Sequence, residues 1–250
     1  MPSASAATLI GDYQLQGTLA SSGAGPPLTD IGAGNSFQTD TVMGVQRQVL
    51  RFPLGNGLSM APAGLGGGTG PYSEVVTFRF DDAVVPTDGG YARILDSTNG
   101  GSGDNGLYDH NGYLDYYDTA GSDNSSGTQL LADDTYATVA MSVSGGETRG
   151  YFNGSRVLTS AEANPVTDDT LRFFKDNGAE HSAGAVSCIR VYASALTDAE
   201  ISGIGASPDC APHPAAPPPH KKKCKKHKKK HKRSAESAKK KKCKKKKKKH

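Results

Sequence analysis

The sequence predicts an all-β chain, an antiparallel β-sandwich closed by one short helix and followed by a disordered basic tail. Three observations carry this. Seven Asn-Gly or Asp-Gly pairs punctuate the first 180 residues, at positions 56, 88, 99, 105, 111, 153 and 177, and such pairs tolerate the positive backbone angles of tight hairpins. Between them lie short runs with period-two alternation of apolar and polar residues. Helical periodicity is almost absent, which together with many short strands indicates a sandwich rather than a mixed fold.

Taken in order, the first strand is read at Val49 to Leu54. The clearest alternation follows, with Val76, Phe78 and Phe80 on one face and Val75, Thr77 and Arg79 on the other. Tyr91 to Leu95 and Tyr113 to Tyr117 are read as strands on the same grounds. In Tyr136 to Val143, Val139, Met141 and Val143 share one face while Thr138, Ala140 and Ser142 share the opposite one, the pattern of a half-buried antiparallel strand. Tyr151-Phe152, Asn153-Gly154 and Arg156-Val157-Leu158 together read as a hairpin. Leu171 to Phe174 and Val186 to Tyr192 complete the set. The one helix signal is Thr197-Asp198-Ala199-Glu200, a capping box in which the Thr hydroxyl and Glu carboxylate each satisfy an orphan N–H, followed by Ile201 and Ile204.

The charge is divided unevenly. Of 29 Lys and Arg, 20 lie between His220 and His250, where Glu236 is the only acid. The remaining nine basic and 24 acidic residues give residues 1–219 a formal charge of −15 against +19 for the tail, and the overall +4 is their near-cancellation. The organisation read from this is a flexible N-terminus at 1–8, one domain at 9–205, a Pro/Ala-rich linker at 206–219 and a Lys/His-rich tail at 220–250. The body holds only Lys175 and eight scattered arginines, so it lacks the basic face that phosphates require and is not expected to read nucleic acid. No apolar run approaches the ~20 residues needed to span a bilayer.

Several segments resemble a known family. Thr170-Leu171-Arg172-Phe173-Phe174-Lys175-Asp176-Asn177, then Ser182 to Tyr192, then Ala195-Leu196-Thr197-Asp198-Ala199-Glu200-Ile201 form the most specific stretch. Arg93-Ile94-Leu95-Asp96 leading to Gly106-Leu107-Tyr108, and the hairpin Gly150 to Val157, add to it. Over roughly Leu9 to Ile204 the chain resembles the bacterial laminin-G-like jelly-roll domains of the concanavalin A-like lectin and glucanase superfamily. It departs from them at Cys188, where the family commonly has a polar residue or Arg. The resemblance implies a jelly-roll fold and an exported protein; it does not imply one activity, because this sandwich hosts lectins, adhesion modules and hydrolases.

For hydrolysis, two carboxylates must flank one glycosidic bond, about 5 to 5.5 Å apart in retaining enzymes. The body's five Glu residues have no strand neighbours that would supply such a cluster, and there is no nucleophile elbow, so the chain is read as non-enzymatic. Sugar binding calls for an aromatic platform beside polar groups, and Tyr113, Asp115 and Tyr116 are the candidate ligand-binding residues. No cofactor is required by this reading. Calcium is the candidate metal, because acidic loops supply the oxygen ligands a hard cation needs; Asp96, Asp104, Asp176, Asn177 and Glu180 are its candidate ligands. Four cysteines permit a disulfide in an exported protein, and a pair within the body would be Cys188 with Cys210.

The expected function is extracellular recognition of carbohydrate or a surface glycoconjugate, with the tail attaching to anionic polymers. The alternatives are a protein-binding adhesion module and, less favoured, a glycoside hydrolase of the same fold. Met1 to Ala7 lacks the charged start and apolar stretch of a signal peptide, while Ala4-Ser5-Ala6 resembles the small-residue end of a cleavage site. A secreted or surface location with a start further upstream is therefore the expectation.

Overall fold

The computed structural model describes residues 7–83, 88–99, 105–117, 123–178 and 180–213. The polybasic tail and almost all of the expected flexible N-terminus lie outside the described residues. Fifteen strands are present among those described. They are β1 (Leu9–Tyr13), β2 (Thr29–Ile31), β3 (Ser36–Val42), β4 (Val45–Phe52), β5 (Gly57–Met60), β6 (Tyr72–Phe80), β7 (Tyr91–Asp96) and β8 (Gly106–His110). After these come β9 (Tyr113–Tyr117), β10 (Asp123–Gln129), β11 (Ala137–Ser144), β12 (Glu147–Phe152), β13 (Ser155–Ser160), β14 (Leu171–Phe173) and β15 (Gly184–Tyr192), then the helix α1 (Asp198–Ile204).

The strands form two antiparallel sheets. The first runs β13-β12-β11-β6-β15-β4-β3, with β1 also pairing β15; the second runs β10-β9-β8-β7-β14-β5-β2. Two of the Asn-Gly pairs do what the sequence suggests. Asn111 and Gly112 have φ of 52° and 87° and join β8 to β9, and Asn153 and Gly154, at 47° and 83°, join β12 to β13.

Alternation decides which side chains fill the space between the sheets. From the first sheet come Val76, Phe78, Phe80, Val139, Met141, Val143 and Ile189; from the second come Leu58, Met60, Ala92, Ile94, Leu107, Leu114, Leu171 and Phe173. An aromatic group centres on Phe174, which stacks on Phe52 at 4.5 Å and meets Phe78 at 5.4 Å.

The outer face of the first sheet is covered, which the sequence pattern did not foresee. β11 reads as half-buried, yet Ala137 to Val143 are buried on both faces. Ile201 and Ile204 of α1, with Leu196, pack on Val75, Ala140, Tyr151 and Tyr192 in a second apolar cluster. The predicted capping box starts this helix: the Thr197 hydroxyl accepts from Glu200 N and Glu200 Oε2 accepts from Thr197 N at 2.8 Å.

Residues 206–213, read from composition as the start of a linker, continue the same cover. Ser207 is fully buried; its N–H donates to Thr138 Oγ1 at 2.9 Å and its carbonyl accepts from Thr77 Oγ1 at 2.6 Å. Cys210 is disulfide-bonded to Cys188 on β15. Closing a loop of 22 residues reduces the entropy of the unfolded chain by an amount worth roughly 3 kcal/mol. Composition could not show this, because a few backbone bonds and one cross-link, rather than apolar surface, hold the segment down.

Candidate functional site

The outer face of the second sheet carries a different surface. Cross-strand register places Tyr91 opposite His110 and His110 opposite Tyr113; the next row is Arg93, Tyr108 and Asp115. Tyr117, two residues beyond Asp115, extends the same face. An irregularity in register between Arg93 and Leu95 lets both Ile94 and Leu95 enter the core while Arg93 stays on the outer side.

Three tyrosine rings stand at steep angles to one another. The centroids of Tyr91 and Tyr108 are 5.7 Å apart at 81°, Tyr91 and Tyr117 6.0 Å at 87°, and Tyr108 and Tyr117 6.1 Å at 71°. With Glu180 they line a small open pocket of about 60 Å³. His110 stacks on Tyr91 at 3.8 Å, and its Nδ1 lies 2.8 Å from Asp115 Oδ2. Asp115 is 1 % exposed and its Oδ1 has no hydrogen-bond partner.

Arg93 braces this surface from beneath. Its guanidinium lies 3.9 Å from the centroid of the Tyr108 ring and donates from Nη2 to Asp176 Oδ1 at 2.6 Å and from Nη1 to the Asn105 carbonyl at 3.2 Å. The Arg93 N–H also donates to the Glu180 carbonyl at 3.0 Å, tying the segment that carries Glu180 to β7. Burial works to raise the Asp176 pKa, but the Arg93 charge and the N–H groups of Gly178 and Asn177 outweigh it and hold the carboxyl below its ordinary value.

The sequence candidates divide on this geometry. Tyr113 and Asp115 lie on the face, half-exposed and buried respectively. Tyr116 does not: alternation turns it inward, it is fully buried among core side chains, and it cannot touch a ligand on this surface. Tyr91, Tyr108, Tyr117, His110 and Arg93 were missed. Strict period-two counting from Tyr113 would have found Tyr117, but Tyr91 and Tyr108 join it only through pairing of separate strands.

The described residues do not fit a calcium cage. Asp176 is spent on Arg93, Asp96 Oδ1 accepts from Thr98 N and Oγ1 at 2.7 Å each, and Asn177 is exposed. No three acidic, His or Cys side chains among the described residues converge to hold a metal ion; Asp104 lies outside them. Asp176 Oδ1 accepts from Arg93 Nε and Nη2, and its Oδ2 accepts from Gly178 N.

Two carboxyls have strongly raised pKa values, and both face inward. Burial pushes Glu74 and Asp109 each up to about 8, with Asp96 adding to the effect at Glu74. Glu74 is 1 % exposed and Asp109 wholly buried, so neither reaches a substrate on the surface.

Two packed antiparallel sheets with a helix behind the first define a jelly-roll sandwich. Residues 83–202 match the laminin-G-type family model described as concanavalin A-like lectin/glucanases superfamily, consistent with a laminin-G-like jelly-roll domain. Solved structures share the fold. Domain 4 of AbnA, a GH43 extracellular arabinanase from Geobacillus stearothermophilus determined in complex with arabinotriose, is similar at 16% identity over 78% of this chain and 97% of that one, with a TM-score of 0.60. The binding domain of Paraclostridial Mosquitocidal Protein 1 is similar at 10% identity, 78% and 51% coverage and a TM-score of 0.61. The botulinum neurotoxin serotype D binding domain is similar at 14% identity, 78% and 50% coverage and a TM-score of 0.51. This chain thus spans about half the length of either toxin domain. No curated protein sequence matches the chain. Among the described residues, no helix is long and apolar enough to cross a membrane.

Proposed function

We propose that the domain is a non-enzymatic recognition module that binds carbohydrate on the outer face of its second sheet. The observation that carries this is the Tyr91–Tyr108–Tyr117 group with Glu180 around an open pocket, flanked by the His110–Asp115 pair. Aromatic surface beside fixed polar groups is what a sugar needs, since its C–H faces pack on rings while its hydroxyls bond to carboxylate and imidazole. The pocket's ~60 Å³ is far below the roughly 300–1,000 Å³ of a site that encloses a whole drug-sized ligand. The sugar is therefore held largely on the open face rather than enclosed. That arabinanase domain 4 was determined with arabinotriose supports a short oligosaccharide as ligand.

Catalysis is not part of the reading, because the carboxyls that hold a proton near neutrality are sealed in the core. An exported location suits the Cys188–Cys210 disulfide, since such bonds persist in oxidising compartments. The tail supplies attachment to anionic polymers by counterion release, independent of the glycan site.

The test is titration of the full-length protein with a panel of neutral oligosaccharides in about 0.5 M salt, which suppresses attraction by the tail. Tyr91→Ala and Tyr117→Ala are each expected to weaken binding by about tenfold or more, as for a central aromatic anchor, with far-UV circular dichroism unchanged. Tyr116→Phe, on the core side, should bind like the parent protein. Unchanged affinity in both alanine variants would remove this face as the site.

A further inference from the structure

We infer that the domain is a tension-bearing link, in which the Cys188–Cys210 disulfide turns a pull between its N-terminal side and its tail into shear along β15. The inference is independent of the glycan reading and rests on where each end of the domain meets the fold.

Both ends are fixed to one strand. On the N-terminal side β1 pairs antiparallel with β15, Leu9 opposite Tyr192 and Tyr13 opposite Ile189. Ala193 N–H donates to the Thr8 carbonyl at 2.9 Å, and Arg190 donates to both Asp12 carboxylate oxygens, from Nε at 3.1 Å and from Nη2 at 3.2 Å. On the C-terminal side Cys210 is bonded to Cys188, which directly precedes the stretch of β15 that pairs with β1. β15 is itself backed by β6 from Gly184 to Tyr192, so it cannot be drawn away without opening the middle of the first sheet.

Position decides the direction of the load. Leu9 lies at the Tyr192 end of the pairing and Cys188 beyond the other end, about 13 Å away along the strand at ~3.3 Å per residue. Neighbouring strands are only about 4.8 Å apart, and the disulfide spans 5.9 Å between Cα atoms. A pull on β1 toward its N-terminus, resisted at Cys188, therefore runs mainly parallel to the strands. The cross-strand bonds are perpendicular to that direction, so they share the load and must fail together. Helix α1 and Ser207 lie inside the loop that the disulfide closes, off the load path.

Without the disulfide the path changes. Tension from the tail would lift residues 206–213 and then α1, and would reach β15 at Tyr192, directly opposite Leu9. The two strands would there be drawn apart sideways, and their bonds would break one at a time at lower force. The cross-link thus does more than reduce the entropy of the unfolded chain: it moves the point of loading from one end of the β1–β15 pairing to the other. Both cysteines are fully buried, so thiols in solution do not reach the bond while the domain is folded.

The test is single-molecule force spectroscopy on the full-length protein. One handle is at the N-terminus; the other is at the C-terminus or, in a second preparation, on a bio-orthogonal side chain replacing Ala195, just past the Tyr192 end of β15. Urea unfolding of both preparations checks that their stability is the same. Pulling through the tail is expected to require several-fold higher force than pulling through position 195, although both proteins keep the disulfide. The double variant Cys188→Ala with Cys210→Ala, pulled through the tail, should yield at the lower force. Equal forces from the two attachment points would overturn the assigned load direction, and a double variant that keeps the parent's force would overturn the role of the disulfide. Should the double variant not fold, the two attachment points on the disulfide-bonded protein decide the matter alone.

Discussion

Glu74→Gln is expected to stabilise the protein, little at pH 5 and strongly at pH 8. Glu74 sits on β6 facing the core, opposite Met141 on one side and Val191 on the other, and neither of its oxygens has a hydrogen-bond partner. Burial, with the charge of Asp96 added, raises its pKa from 4.5 to about 8. Below pH ~4.5 both folded and unfolded chains hold the proton and its titration does not affect stability. Between 4.5 and about 8 the unfolded chain has released the proton while the folded chain retains it, so stability falls by about 1.4 kcal/mol per pH unit. Above about 8 both are ionised and the loss is complete. Gln has the same shape and no proton to lose. The stability gap between variant and parent, from urea unfolding, should therefore widen by roughly 3 to 4 kcal/mol between pH 5 and pH 8. A gap that stays constant would mean that Glu74 is not the buried, unpaired acid described here. Asp109, also raised to about 8 chiefly by burial, leaves a second pH-dependent loss of the same sign in the variant.

Arg93→Met is expected to destabilise the fold by about 3 to 5 kcal/mol, the cost of leaving a buried charge without its partner. The side chains of Arg93 and Asp176 are 1 % and 3 % exposed. The substitution would also release Tyr108 and abolish glycan binding, because the ring loses the group it rests on. The double variant Arg93→Met with Asp176→Asn removes the orphaned charge and should recover most of the stability but not the binding. If the double variant were no more stable than Arg93→Met alone, the loss would come from packing of the long side chain instead of from the stranded carboxylate. The pair also contributes to acid sensitivity, as do Asp12, Asp81 and Asp209, whose pKa values are likewise lowered. The depressed pKa of Asp176 contributes stability above its unfolded value of 3.8 that is lost as pH falls through the folded value, the reverse of the slope from Glu74.

How much of this could be read in the sequence depends on the range of the interaction. Local signals were sufficient for the hairpins at Asn111-Gly112 and Asn153-Gly154, for the capping box at Thr197, and for the inward face Val76, Phe78 and Phe80. β1, β2, β3, β5, β8 and β10 passed unrecognised. Several of them, such as β3 with mostly exposed Ser36, Gln38 and Thr39, lie toward sheet edges where little apolar alternation is needed. The proposed face draws on residues both near and far in the chain. Tyr113 and Asp115 stand on the proposed face, whereas Tyr116, grouped with them from composition, turns into the core because successive strand residues alternate faces. Arg93, Tyr91 and Tyr108 belong to the site only through the pairing of β7, β8 and β9, a register that no single segment contains. The cover formed by Ser207 and Cys210 was invisible for a similar reason: it depends on Thr77, Thr138 and Cys188, each distant in the chain.

Amide chemical-shift titration of the isotopically labelled full-length protein with the oligosaccharide that binds best locates the ligand directly. The perturbed amides are expected to cluster at Tyr91, Tyr108, His110 and Tyr117 on the outer face of β7, β8 and β9, and at neighbouring Glu180. Perturbations confined to the α1 side of the first sheet, or to the Gly64–Gly70 loop, would contradict it and place the ligand on a different surface of the sandwich.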